Sequence, residues 1–226
     1  MKTHGNELLE FVATYIRMLM RRSKASPICL IWIPKNAGTA VYEAYKASGA
    51  VKYKRRYMSA FFSPKYLFTF GHRLVPKKII EKAVDYDTTF IAVLRDPIER
   101  FCSVYSYYET RGIFSQIYES WNIDFIIHEL EKGAVPELDD NHHVWMSMFN
   151  PQVEWIKHYP IHRFFSQKNI AELEDYLNNH FDCSQKLQRS NTSPSQNIIL
   201  TKKQRSRLLA FYKKDVELIR RYLDQE

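Results

Sequence analysis

Cysteine and glycine are both scarce in this chain of 226 residues, with three and six copies. Cys29, Cys102 and Cys183 are too few and too scattered for a disulfide framework or a CxxC metal site, and an odd count fits a reducing compartment. Six glycines and nine prolines exclude collagen-like or linker-dominated architectures. No stretch reaches the roughly 18 uninterrupted apolar residues of a membrane span. Internal repeats and low-complexity tracts are missing, and so is the Walker A pattern G-x-x-x-x-G-K-[ST]. The segment Glu7 to Arg22 carries apolar residues at helical spacing (Leu8, Leu9, Val12, Ile16, Leu19) but lacks the basic start, apolar block and cleavage site of a signal peptide. It predicts an amphipathic helical extension over residues 1–24 that packs on its own domain, with peripheral membrane contact through residues 7–22 as the alternative.

The remaining composition is that of a folded chain: 45% hydrophobic and 26% charged. The length suits a single domain over residues 1–226. Thirty-three Lys and Arg against 25 Asp and Glu leave a net charge of +8. Such a surface attracts anions, whether nucleic acid, nucleotide, acidic glycan or lipid headgroup.

The run Ile28 to Ile33 is continuously apolar and rich in β-branched residues, the pattern of a strand buried on both faces. Pro34 ends it, and a helix is expected over Thr39 to Ala47. Tyr66 to Phe70 predicts a second strand, Pro76 to Val84 a short helix, and Thr88 to Leu94 a second fully buried strand followed by a helix from Pro97. Residues 113–158 read as helical in pieces. Ile161 to Phe165 predicts a strand, Asn169 to Leu177 a helix, 183–198 a loop, and Thr201 to Leu223 one closing helix capped by Thr201. Strands alternating with helices argue an α/β fold with a largely parallel sheet, in which ligands sit beyond the carboxyl ends of the strands.

Two motifs lie at those ends. Pro34-Lys35-Asn36-Ala37-Gly38-Thr39-Ala40 joins a buried strand to a helix start. Free N–H groups and the helix dipole favour an anion there, Gly38 permits close backbone approach, Lys35 adds a mobile charge and Thr39 a hydroxyl. An ordinary capped turn is the competing explanation. Arg95-Asp96-Pro97-Ile98-Glu99-Arg100-Phe101-Cys102-Ser103 follows the other strand. Arg95 and Ser103, about two helical turns apart, suit a second phosphate, unless Arg95 merely pairs with Asp96 or Glu99.

Together the two motifs resemble the sulfotransferase family that uses PAPS (3′-phosphoadenosine 5′-phosphosulfate). The run from Arg95 to Arg100, with Ser103 and the tyrosines at 105, 107 and 108, is similar to the carbohydrate branch, notably the uronyl and heparan 2-O-sulfotransferases. Phe70-Gly71-His72 resembles that branch's Gly-His segment. The likeness spans residues 28–108. It implies a P-loop-like three-layer α/β fold with a central, mainly parallel sheet flanked by helices. It implies transfer of a sulfuryl group from PAPS to an acceptor hydroxyl on a carbohydrate, leaving 3′,5′-adenosine bisphosphate, with no metal and no nucleic-acid partner. By the same resemblance Lys35, Asn36, Ala37, Gly38, Thr39 and Ala40 hold the 5′-phosphosulfate, and Arg95 and Ser103 the 3′-phosphate. Lys35 stabilises the leaving oxygen and His72 is the catalytic base. Two departures are visible: Ala40 stands where many members have a second hydroxyl, and the anchor and stem of the animal Golgi enzymes have no counterpart, which implies a soluble, bacterial-type enzyme in the cytoplasm.

Imidazole titrates near neutrality and suits a base, and His142 and His143 in Asp139-Asp140-Asn141-His142-His143 are the alternatives to His72. Adjacent histidines diverge on a regular element, so His142 and His143 are read as substrate-binding or surface residues rather than metal ligands. Arg55, in Lys52-Tyr53-Lys54-Arg55-Arg56, is a further substrate-binding candidate, against a solvated positive face. The competing functions are a nucleotide kinase or NTPase-like enzyme, and a non-catalytic basic protein that binds nucleic acid or glycan.

Overall fold

A computed structural model describes residues 28–47, 51–53, 59–62, 67–70, 88–133, 146–188 and 198–223. Six strands form one sheet in the order β2-β3-β4-β1-β5-β6. They are β1 (Ile28–Ile31), β2 (Val51–Tyr53), β3 (Ser59–Phe62), β4 (Leu67–Phe70), β5 (Thr89–Leu94) and β6 (Ile161–Ser166). β4, β1, β5 and β6 run parallel, while β2 and β3 add an antiparallel edge. The predicted α/β class and the mainly parallel sheet flanked by helices are therefore present.

The apolar runs occupy the centre because a strand covered on both faces needs apolar residues at every position. β1 is buried throughout, and β5 is buried at all but its first residue. Helix α1 (Gly38–Ala47) follows β1, and α2 (Pro97–Thr110) follows β5. Val41, Tyr42 and Tyr45 of α1 join Ile28, Leu30, Ile91 and Val93 in one core cluster. That cluster also takes Leu173 and Leu177 from α5 (Ile170–Phe181). A second cluster gathers Phe101, Val104 and Tyr108 of α2, Ile126 and Leu130 of α3 (Ile123–Glu131), and Leu208 of α6 (Lys202–Phe211).

Chain connectivity marks one crevice. β1 leads to β4 on one side of itself, whereas β5 leads to β6 on the other. Between the carboxyl ends of β1 and β5 the winding reverses, which is where open α/β sheets bind ligands.

Several sequence expectations change. β2 and β3 were not anticipated: the stretch at 52–56 reads as a basic patch, and a three-residue strand is too short to show an alternating pattern. Helix α5 extends to Phe181, beyond the expected Leu177. The single closing helix is two, α6 and α7 (Lys213–Tyr222), divided at Tyr212. Thr201 does cap α6, in a reciprocal capping box with Gln204. The break follows from Tyr212, which is fully buried and donates its hydroxyl to Phe149 O at 2.8 Å. Among the described residues between 113 and 158 the helical pieces are α3, α4 (Gln152–Ile156) and two short 3-10 turns. The expected helices at 7–22 and at Pro76 to Val84 lie outside the described residues. Among the described residues no helix is long and apolar enough to cross a membrane.

His162 is a structural residue. Its Nδ1 accepts a hydrogen bond from Phe90 N at 2.9 Å, beside a register shift between β5 and β6 at Phe90 and Ile91.

Candidate functional site

The loop leaving β1 has an unusual backbone. Lys35 and Ala37 both have φ of +67°, although neither is glycine. They flank Asn36, and Gly38 then opens α1. Alternating handedness of this kind is the backbone pattern of anion-binding nests, with the N–H of Asn36 itself turned back onto Ile33 O at 3.3 Å. The first turn of α1 carries no acidic residue to offset the positive end of the helix dipole. Thr39 and Ala40, both partly buried, sit in that turn.

Gly38 has a reason beyond the one its sequence suggests. A methyl on its Cα would overlap the indole of Trp32, which packs against the first core cluster. The glycine is required by the close approach of that ring, rather than only by room for a ligand.

Left-handed backbone costs a non-glycine residue roughly 1–2 kcal/mol, so two such residues need external restraint. Asn36 supplies part of it. Its side chain is buried, and its Nδ2 donates to Val93 O at 2.7 Å and to Gln152 Oε1 at 2.5 Å. Gln152 is itself fixed: its Oε1 also accepts from Arg95 N at 3.0 Å, and its Nε2 donates to Arg95 O at 2.8 Å. Pairing with both backbone groups of Arg95 sets the amide of Gln152, which in turn requires Asn36 to present its nitrogen. One glutamine thus ties the loop after β1 to the residue after β5.

Arg100 supplies the rest. It is fully buried on α2, and its guanidinium donates to Pro34 O (3.1 Å), Asn150 O (2.9 Å) and Met148 O (2.6 Å). Burial pulls its pKa down, countered mainly by Tyr212 and Asp215. Asp215, on α7, is also fully buried and accepts from Gln152 N (2.7 Å) and Val153 N (3.0 Å), capping α4 from outside its own helix. Burial raises the Asp215 pKa; those hydrogen bonds and the Arg100 charge work the other way.

Over this frame lies a cluster of positive charge. Lys35 Nζ sits 4.8 Å from the Tyr107 ring centroid, and the Arg111 guanidinium 5.7 Å from the same ring. Arg95 donates to Lys35 O at 3.3 Å. Burial lowers the Lys35 pKa, and the charges of Arg95 and Arg111 lower it further. Among the described residues no carboxylate pairs with Lys35. Arg95 Nε is 3.7 Å from Glu99 Oε2, beyond hydrogen-bond length, and the partly exposed Glu99 also lies 3.9 Å from Lys168. Asp96 is occupied as the cap of α2, accepting from Ile98 N and Glu99 N at 2.9 Å each. Arg95 thus forms the i,i+4 ion pair with Glu99 that the sequence allowed, while Asp96 is engaged elsewhere and the Arg95 guanidinium also donates to Lys35 O. Ser103 falls one turn after Glu99 and one turn before Tyr107, on the line of α2 that faces Arg95 at one end and Lys35 at the other.

The structure thus brings Lys35, Asn36, Ala37, Gly38, Thr39 and Ala40 to the same crevice as Arg95, with Ser103 on its flank. His72, Arg55, His142 and His143, along with Asp139 and Asp140, lie outside the described residues. Arg100, Gln152 and Asp215 were missed as site-building residues. Arg100 read as part of a motif without a role of its own, and a lone Gln or a helical Asp carries no sequence signal. Among the described residues no group of three His, Cys, Asp or Glu side chains could hold a metal ion. Comparison of the chain with protein-family models, with curated proteins and with solved structures finds no match.

Proposed function

We propose that the chain is a PAPS-dependent sulfotransferase that moves a sulfuryl group to an acceptor hydroxyl, with a carbohydrate as the acceptor. One observation carries the reading: a nest-forming loop with Lys35 and a second cationic residue, Arg95, meet at the β1–β5 crevice and are joined through Gln152. Two anion-binding elements at a fixed spacing suit a ligand with two separate phosphate-type groups. The residues fit that ligand: the charges of Arg95 and Arg111 converge on Lys35, which no carboxylate pairs among the described residues.

On this reading residues 35–40 hold the 5′-phosphosulfate, and Arg95 with Ser103 holds the 3′-phosphate. When bound, PAPS supplies the transferable sulfuryl group. Lys35 steadies the charge that develops on the departing phosphate oxygen. His72 accepts the proton of the acceptor hydroxyl, a role that imidazole fills near neutral pH. Sulfuryl transfer resembles phosphoryl transfer in requiring in-line placement and charge stabilisation above all.

The test is thermal shift with 3′,5′-adenosine bisphosphate against AMP, ADP and ATP-Mg²⁺. A ligand at about 100 times its Kd stabilises by roughly 2.7 kcal/mol, a rise on the order of 5–10 °C at this chain length. The bisphosphate should exceed AMP clearly, and Arg95→Ala should erase the difference. A response confined to ATP-Mg²⁺ would favour the kinase-like alternative, and no response would favour a basic binding protein.

A further inference from the structure

We infer that Gln152, held by Asp215, is a positioning residue that sets the distance between the Lys35 loop and Arg95 and so confers preference for a doubly phosphorylated ligand. The inference rests on the two-phosphate reading above. Gln152 is buried, so its polar atoms have no solvent to fall back on. Its side chain meets Asn36 on one loop and both backbone groups of Arg95 on the other, while its own N–H is fixed by Asp215 Oδ2. No other side chain in the described site hydrogen-bonds to both loops by this route. Arg95 reaches Lys35 O directly, but through a single 3.3 Å contact. The backbone of Arg95 is therefore tied to Asn36 from α4 and α7, elements that contribute no charge to the ligand site, beside the direct contacts of Asn36 with Val93 O and of Arg100 with Pro34 O.

A spacer and a ligand-binding group behave differently. Loss of a phosphate-binding side chain weakens every ligand that uses it. Loss of a spacer leaves each half-site able to bind and removes the advantage of binding both at once. The experiment measures Kd by calorimetry for 3′,5′-adenosine bisphosphate and for AMP in the native chain, Gln152→Met and Gln152→Glu. Gln152→Met keeps the volume and removes all three side-chain hydrogen bonds. Its ratio of AMP to bisphosphate Kd should fall about tenfold, the bisphosphate losing far more affinity than AMP. Gln152→Glu keeps the acceptor toward Asn36 and Arg95 N and should fall in between. An unchanged ratio, or equal weakening of both ligands, overturns the assignment.

Amide hydrogen exchange without ligand provides the second readout and does not depend on what the site binds. In Gln152→Met or Gln152→Glu, whichever retains a cooperative melt, protection should drop together at residues 35–40 and 94–96 while α5 stays native. Native protection at both loops overturns the positioning role. If the native chain shows no bisphosphate preference, the two-phosphate reading fails, and the exchange result alone decides whether Gln152 sets the loop spacing.

Discussion

Lys35→Ala should lower kcat by about 10²–10³-fold, the usual loss when a donor aimed at developing transition-state charge is removed. The side chain is well placed for that effect. It lies at the start of the nest, partly buried, with Arg95 and Arg111 close enough to depress its pKa. Burial and the neighbouring Arg95 and Arg111 charges disfavour its own charge, so an incoming anion relieves repulsion as well as gaining attraction. Bisphosphate affinity should also drop, because the same charge meets the ligand in its ground state. A loss of affinity with unchanged kcat would assign Lys35 to binding alone. The companion variant His72→Ala should reduce kcat by about 10²–10⁴-fold while keeping bisphosphate affinity within about twofold. Normal turnover in that variant would move the base to His142 or His143.

Arg100→Met should cost about 3–5 kcal/mol, the range for uncovering buried charge and unpaired polar groups. It strands three carbonyls, at Pro34, Met148 and Asn150, and takes a compensating charge from the buried Asp215. At about 2–4 °C per kcal/mol for a chain of this length, the melting temperature should drop by roughly 6–20 °C. Arg100→Lys should recover little, since a compact ammonium cannot span the three carbonyls that separate guanidinium nitrogens reach. The loss should also depend on pH. Burial raises the Asp215 pKa above its unfolded value, so the folded chain holds that proton more tightly than the unfolded one. Its contribution is most favourable below the unfolded pKa and is lost as pH rises through the folded pKa. Without Arg100 the Asp215 pKa rises further, so the gap in melting temperature should narrow as pH is lowered through the variant's folded Asp215 pKa. Calorimetric melts at several pH values measure both effects; a variant within about 2 °C of native at pH 7 would show that Arg100 does not hold the loop.

What the sequence disclosed follows from the range of the interactions involved. β1 and β5 were legible because burial on both faces forces an uninterrupted apolar run, and the loops beyond them were legible because each is contiguous in the chain. Lys35 and Arg95 could therefore be placed at a common crevice before any geometry. The frame beneath them could not. Gln152 meets Asn36 across 116 residues and Asp215 across 63. Neither residue type announces a partner, and Asp215 reads as one more polar position on an amphipathic helix. The stripe Leu208, Phe211, Tyr212, Val216, Ile219 and Leu223 keeps one helical period across both α6 and α7, so periodicity could not reveal the break at Tyr212.

The two left-handed residues in the loop after β1 have a consequence for folding. Local preference opposes that backbone at Lys35 and Ala37, and the groups that restrain it, on Arg100, Gln152 and Val93, arrive from segments 57 to 116 residues away. Contacts of such sequence separation carry a loop-closure cost that shorter-range pairings do not. The concavity is thus a property of the assembled chain rather than of its motif. A peptide spanning residues 28–47 would carry every residue of the first motif and still lack the shape that makes it an anion site.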